Sequence, residues 1–288
     1  MGHKNCPNDW EIFSQVNLEK TTVLKEEQDL QQTLFSVGGF SLGSYGVMVA
    51  LAILIGLGVA YHLASSEKEY RQHLIDLVIF AVIGAIIGAR LWQVFFYEWE
   101  YYSLHLAESF MIWHGGMAIQ GGLVGAFIVG WIYTRKYKLD FWRMADIAAP
   151  GIILGQGLGR IACFLNGDAY GSPTNQGFGL VYPPGTPAYD AFGSQPLWPA
   201  EVWEGQWDMI VFALILILPR WLKLPRGILF VTYVVLYSLG RFGLEFLRGD
   251  GARYLFNWTS AQWSSMGMIV IALVSAAVLT LSTRTAKN

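Results

Sequence analysis

Seven stretches of about 20 mostly apolar residues divide the chain, and no other feature restricts its fold so severely. They run from about Leu42 to Ala64, Leu74 to Phe96, Gly116 to Tyr133, Ala145 to Leu165, Gln206 to Leu222, Gly227 to Leu247 and Ala261 to Leu281. A bilayer core of roughly 30 Å takes about 20 helical residues to cross. Only helices and closed barrels satisfy their own backbone groups there. The expected fold is therefore an all-α integral membrane protein with seven transmembrane helices. Composition agrees, with 54% of residues in the hydrophobic set and 14% charged.

Lysine and arginine between the spans set an orientation. Lys68 and Arg71 fall in the first loop, Arg135, Lys136, Lys138 and Arg143 in the third, Arg220, Lys223 and Arg226 in the fifth, and Arg284 and Lys287 in the tail. The second and fourth loops have none, and the sixth has only Arg248 and Arg253. The N-terminus is expected outside and the C-terminus in the cytoplasm. The long fourth loop, Asn166 to Gly205, then faces outward, and its Gly, Pro and aromatic residues read as turns with short strands. Residues 1–40 form a polar arm outside the membrane, and residues 41–288 form one membrane domain. From Asp9 to Phe35 the arm carries apolar residues at roughly helical intervals, which suggests a surface helix. It lacks the pattern of a cleaved secretory signal.

A formal charge of −2 gives no reason to expect a nucleic-acid partner. Cys6 and Cys163 suggest no disulfide framework, and no histidine pair has metal-ligand spacing, so neither metal nor cofactor is expected.

The informative residues are arginines inside apolar helices: Arg90, Arg160 and Arg241. An unpaired guanidinium at bilayer depth costs about 2.5–3.5 kcal/mol on the most lenient scale, so each needs a partner or a cavity. Tyr237, Arg241, Glu245 and Arg248 follow one another at spacings of four, four and three, which stacks them on one helix face. A structural ion pair between Arg241 and Glu245 accounts for part of this stripe. An anion site accounts for all of it, because arginine forks match phosphate oxygens and Glu245 would hold the fork. Gly151, Gly155, Gly157 and Gly159 allow close helix approach ahead of Arg160, with Asn166, Gly167 and Asp168 at the end of that span. Trp113 to Leu123 places two glycine pairs beside His114, which is a candidate base or a simple interfacial hydrogen-bonding residue.

Taken in order, SYGVM (Ser44–Met48), GARL (Gly88–Leu91), WHGGMAIQGGL (Trp113–Leu123), GRIACFLNGDAYG (Gly159–Gly171), PAEVWE (Pro199–Glu204) and YSLGRFGLEFLR (Tyr237–Arg248) resemble the prolipoprotein diacylglyceryl transferase family. The resemblance implies seven membrane helices in the bacterial cytoplasmic (inner) membrane. It implies transfer of the diacylglyceryl group of phosphatidylglycerol to a preprolipoprotein lipobox cysteine, with release of glycerol 1-phosphate. Arg160 and Arg241 would stabilise the phosphate, while Tyr45, Gln120 or His114 would assist the thiol. Arg90, Asn166, Gly167, Asp168, Gly171, Glu204, Tyr237, Glu245 and Arg248 would bind substrate. Gln120 stands where many members have histidine or tyrosine, Cys163 where asparagine is common, and Asp168 where glutamate is usual. Trp198 and Trp203 replace a histidine and a tyrosine. These departures fit a divergent member that binds phospholipid but uses another acceptor. A transporter is disfavoured because no internal repeat is present.

Overall fold

The computed structural model describes residues 33–37, 40–111 and 116–285. Among these residues seven long helices dominate: α1 (Ser44–Leu63), α2 (Lys68–Trp92), α3 (Ile119–Lys136), α4 (Phe141–Asn166), α5 (Ala200–Trp221), α6 (Ile228–Leu244) and α7 (Ser260–Thr285). Among the described residues six helical segments are long and apolar enough to cross a membrane, those containing α1, α2, α4, α5, α6 and α7. Helix α3 has 18 residues, and Gln120, Arg135 and Lys136 lower its mean hydropathy. Large apolar side chains stay exposed along these helices; Ile271, for example, is 68% exposed. Water would penalise such a surface and lipid would not. The chain is a multi-pass membrane protein.

The fold is not wholly helical. Strands β1 (Thr33–Val37) and β2 (Phe40–Gly43) pair antiparallel ahead of α1, with Phe35 opposite Leu42 and Val37 opposite Phe40. Thr33 to Phe35, expected to close a surface helix, are therefore extended. The rest of that expected helix lies outside the described residues.

The chain forms two compact units, one of Met1–Ile53, Leu154–Val211 and Val235–Ile271, the other of Leu54–Ile153, Phe212–Val234 and Ala272–Asn288. In the second unit, α2 and α3 meet backbone to backbone. A Cβ on Gly88 would lie 2.3 Å from the Gly121 carbonyl oxygen, and one on Gly125 would lie 2.2 Å from that of Gly84. Small residues four apart on both helices permit this approach. Leu74, Leu77, Tyr133, Leu139, Met144 and Ile147 form a buried cluster there. Asp146 of α4 caps α6 from the side: its carboxylate accepts the Gly227 and Phe230 N–H groups at 2.6 and 2.9 Å. Two of the first-turn donors that a helix leaves unpaired are thus satisfied inside the protein.

In the first unit, the connection from α4 to α5 is folded on itself. It contains a short helix, Pro187–Phe192, whose N-cap Thr186 accepts the Tyr189 N–H, and isolated bridges join Leu197 to Pro173 and to Leu180. Tyr182, Ala188 and Leu197 form its buried core. The Tyr182 hydroxyl donates to the fully buried Glu201 at the start of α5.

Candidate functional site

The carboxyl end of α6 and the residues after it carry Arg241, Glu245 and Arg248, and the first unit adds Arg160 from α4 and Glu204 from α5. Glu204, 3% exposed, is the hub. Its Oε2 lies 2.7 Å from Arg160 Nη2, while its Oε1 pairs with Arg241 Nη1 and lies 3.4 Å from Arg248 Nη1. Glu245 Oε2 lies 2.8 Å from Arg241 Nη1 and 3.8 Å from Arg248 Nε. Its Oε1 accepts the Thr259 hydroxyl at 2.8 Å. Arg248 Nε donates to Asp250 Oδ1 at 2.8 Å, and its Nη2 pairs with the other oxygen.

Two of these contacts are short without being aligned. Glu204 Oε2 and Glu245 Oε2 sit at ion-pair distance from Arg160 and Arg241 but outside hydrogen-bond geometry. Coulomb attraction holds Arg160 on Glu204, whereas Arg241 Nη1 also donates a hydrogen bond to Glu204 Oε1. Arg248 is more firmly held. Burial opposes its charge, but the hydrogen bond to Asp250 and the carboxylates of Glu204, Asp250 and Glu245 outweigh it and raise its pKa above the ordinary arginine value.

Arg160, Glu204, Trp207, Asp208, Tyr237 and Arg241 line a crevice too tight to hold a water molecule. Trp207 Nε1 donates to the Leu236 carbonyl at 3.0 Å. It lies against Gly240, where an added Cβ would come within 1.9 Å of that nitrogen. Asp208 is 2% exposed, and its Oδ2 has no hydrogen-bond partner among the described residues.

The glycine turn after α4 fixes the position of Arg248. Gly167 ends α4 at φ +67°, where glycine is free of Cβ strain, and the Asp168 N–H closes back on the Cys163 carbonyl at 3.2 Å. Asn166 Nδ2 donates to Asp168 Oδ2 at 2.9 Å. Gly171 then bridges to Arg248, flanked by Ser172 N–H to Leu247 O at 2.8 Å and Gly249 N–H to Tyr170 O at 3.1 Å. A Cβ on Gly171 would lie 2.1 Å from the Trp198 carbonyl oxygen. The backbone pairing thus depends on a residue without a side chain.

Residues 32–278 match the prolipoprotein diacylglyceryl transferase family. The chain belongs to that family. It is 38% identical over 248 residues to a phosphatidylglycerol–prolipoprotein diacylglyceryl transferase of Geobacillus kaustophilus, covering 85% of this chain and 91% of that one. A protein of the same name from Acaryochloris marina is 40% identical over 218 residues, covering 75% and 79%. One from Listeria monocytogenes is 36% identical over 248 residues, covering 85% and 88%.

Of the residues singled out from the family motifs, the fold brings Arg160, Glu204, Tyr237, Arg241, Glu245 and Arg248 together in one unit. Asn166, Gly167, Asp168 and Gly171 form the turn that leads to Arg248. Tyr45, the second residue of α1, is 43% exposed in the same unit. Gln120, at the start of α3, is half-buried and belongs to the other unit. His114 lies outside the described residues.

Arg90 also belongs to the second unit, where the residue is 5% exposed. Nε donates to Ser109 O at 2.9 Å, Nη1 to Gly116 O at 2.9 Å, and Nη2 to Glu108 O at 2.6 Å and Met111 O at 3.3 Å. The Tyr102 ring lies 5.0 Å from its Cζ. These bonds tie the segment between α2 and α3 to α2, so in this state most of the Arg90 fork is committed to backbone.

Asp208, Asp250, Thr259 and Trp207 escaped sequence reasoning. Glu201, Glu204 and Asp208 are three and four apart in an apolar helix, a visible signal of a buried acidic face. Asp250 and Thr259 carried no such periodic mark.

Proposed function

We propose that this family member transfers the diacylglyceryl group of phosphatidylglycerol to the lipobox cysteine thiol of a preprolipoprotein. The thiolate sulfur attacks the glycerol carbon that carries the phosphodiester, and a C–S bond replaces the C–O bond. Glycerol 1-phosphate leaves with the bonding electron pair, and the thiol proton passes to a base or to solvent. The enzyme needs no nucleophile of its own, because the substrate brings one.

The observation that carries this reading is the gathering of Arg160, Arg241 and Arg248 on Glu204. Preorganised cations of this kind stabilise charge developing on a leaving phosphate without reorganising. The misaligned contacts of Arg160 and Arg241 suit exchange of a carboxylate oxygen for a phosphate oxygen. Tyr237, Glu204, Glu245 and Arg248 line or brace the headgroup, and the Asn166–Gly171 turn shapes its edge. Tyr45, Gln120 and His114 are candidates to favour the thiolate, with Gln120 acting only through hydrogen bonds. Arg90 holds the segment that leads to α3.

Helix α3 counts as a seventh span in this reading. Residues 1–40 form an arm outside the membrane, residues 41–288 form the enzymatic domain, and the α4–α5 connection faces outward. The N-terminus is outside and the C-terminus cytoplasmic, in the inner membrane of a bacterium. Lysine and arginine placement supports this topology.

Purified protein incubated with phosphatidylglycerol and a lipobox peptide tests the reaction. The expected result is a peptide heavier by one diacylglyceryl group, with an equal amount of glycerol phosphate. Headgroup binding without transfer, even at high enzyme concentration, would favour a paralogue with another acceptor.

A further inference from the structure

A second cavity, of about 560 Å³, lies wholly within the second unit, between the end of α3 and the start of α4. Its volume falls in the range of about 300–1,000 Å³ usual for ligand pockets. Phe127, Trp131 and Trp142 give it aromatic walls, buried Leu139 also lines it, and Arg135 and Lys138 bring positive charge. We propose that this cavity binds an anionic membrane phospholipid, distinct from the one consumed at the arginine cluster.

The charges of the neighbourhood favour an anion. Arg143 is held by Glu67, its Nε donating at 2.9 Å. Asp140 accepts the Trp142 and Arg143 N–H groups at 2.9 and 3.2 Å and lies 3.1 Å from Arg226. Among the described residues no carboxylate pairs with Arg135 or Lys138. The Thr134 hydroxyl is already directed to the Gly130 and Trp131 carbonyls, both at 3.0 Å, so the cations provide the recognition.

The walls favour a lipid over a soluble anion. Phe127 and Trp131 are one helical turn apart on α3 and remain 55% and 46% exposed. They continue the apolar surface away from the charges, where acyl chains would lie. Arg135 Cζ sits 5.2 Å from the Trp131 ring, and Phe127 packs edge-on to Phe141 at 5.3 Å. Basic, aromatic-lined pockets on membrane helices suit anionic headgroups. Given the topology proposed above, the lipid belongs to the cytoplasmic leaflet.

A photoactivatable phosphatidylglycerol analogue, used on the full-length protein in detergent with peptide mapping of the label, tests the site. Labelling of residues 127–142 should be competed by unlabelled phosphatidylglycerol and not by phosphatidylcholine. Removal of surface cations weakens anionic lipid binding by roughly fivefold each, so Arg135→Gln with Lys138→Gln should cut the labelling at least tenfold. The charge-keeping pair Arg135→Lys with Lys138→Arg should retain it. Labelling there should also persist in Arg241→Ala, whether or not transfer occurs, which separates this site from the catalytic reading. Equal labelling by a phosphatidylcholine analogue, no label on 127–142, or full labelling of the glutamine pair would overturn the proposal.

Discussion

Replacing Glu204 with glutamine removes the one negative charge that three guanidinium groups share. Glu245 still faces Arg241, and Asp250 still holds Arg248, but among the described residues Arg160 pairs with no other carboxylate. The damage should therefore fall on Arg160. Breaking a buried ion pair costs about 3–5 kcal/mol. The Arg160 and Arg241 side chains are 18% and 17% exposed, so solvent screens part of the loss. A destabilisation of about 3 kcal/mol follows. For transfer, an unmoored Arg160 resembles the loss of one oriented charge-stabilising donor, about 10²-fold in turnover. Denaturation of the purified variant and the rate of diacylglyceryl addition to a lipobox peptide check the two figures. Adding Arg160→Ala to Glu204→Gln should lower the rate little further, since both act through the same guanidinium. Wild-type stability and rate in Glu204→Gln, or fully additive losses in the double variant, would show that Arg160 does not depend on Glu204.

Other substitutions probe the framework. Gly171→Ala places a methyl group against the Trp198 carbonyl, so it should cost about 3 kcal/mol and expose the α4–α5 connection to limited proteolysis. Asp146→Ala strands the Gly227 and Phe230 N–H groups and should cost about 2 kcal/mol in denaturation; Asp146→Asn keeps an acceptor for only one of the two and should recover no more than about half. Burial, then the hydrogen bond and charge of Glu201, push the Tyr182 pKa above the ordinary tyrosine value of 10.0. Its contribution to stability is thus complete below pH 10 and lost as pH rises through the folded-state value. A pH series of melting temperatures should show that alkaline loss reduced in Tyr182→Phe.

The membrane helices are legible because each carries its own signal: about 20 apolar residues suffice whatever the helix packs against. Helix α3 forms where the sequence places it but is not among the six segments apolar enough to cross a membrane, since Gln120, Arg135 and Lys136 fall inside its ends. The stripe of Tyr237, Arg241, Glu245 and Arg248 is legible for the same local reason, the helical period. The partners of that stripe are a different matter. Glu204, Arg160 and Thr259 come from other elements, and only tertiary folding makes Glu204 a shared counter-ion. Arg90 reads identically in sequence whether its fork serves a ligand or, as here, four backbone carbonyls. Thr33 to Phe35 show the reverse difficulty. Apolar spacing suited a helix, but pairing with Phe40–Gly43 makes a strand, and a pairing partner is invisible to a local period.

The central claim is that the arginines gathered on Glu204 stabilise the departing phosphate. Its most direct test is the transfer rate from phosphatidylglycerol to a lipobox peptide in Arg160→Ala and in Arg241→Ala, each first shown to be folded by its melting transition. A fall of at least about 100-fold is expected in each, in the turnover number rather than only in KM. Folded variants that transfer at the wild-type rate would contradict it.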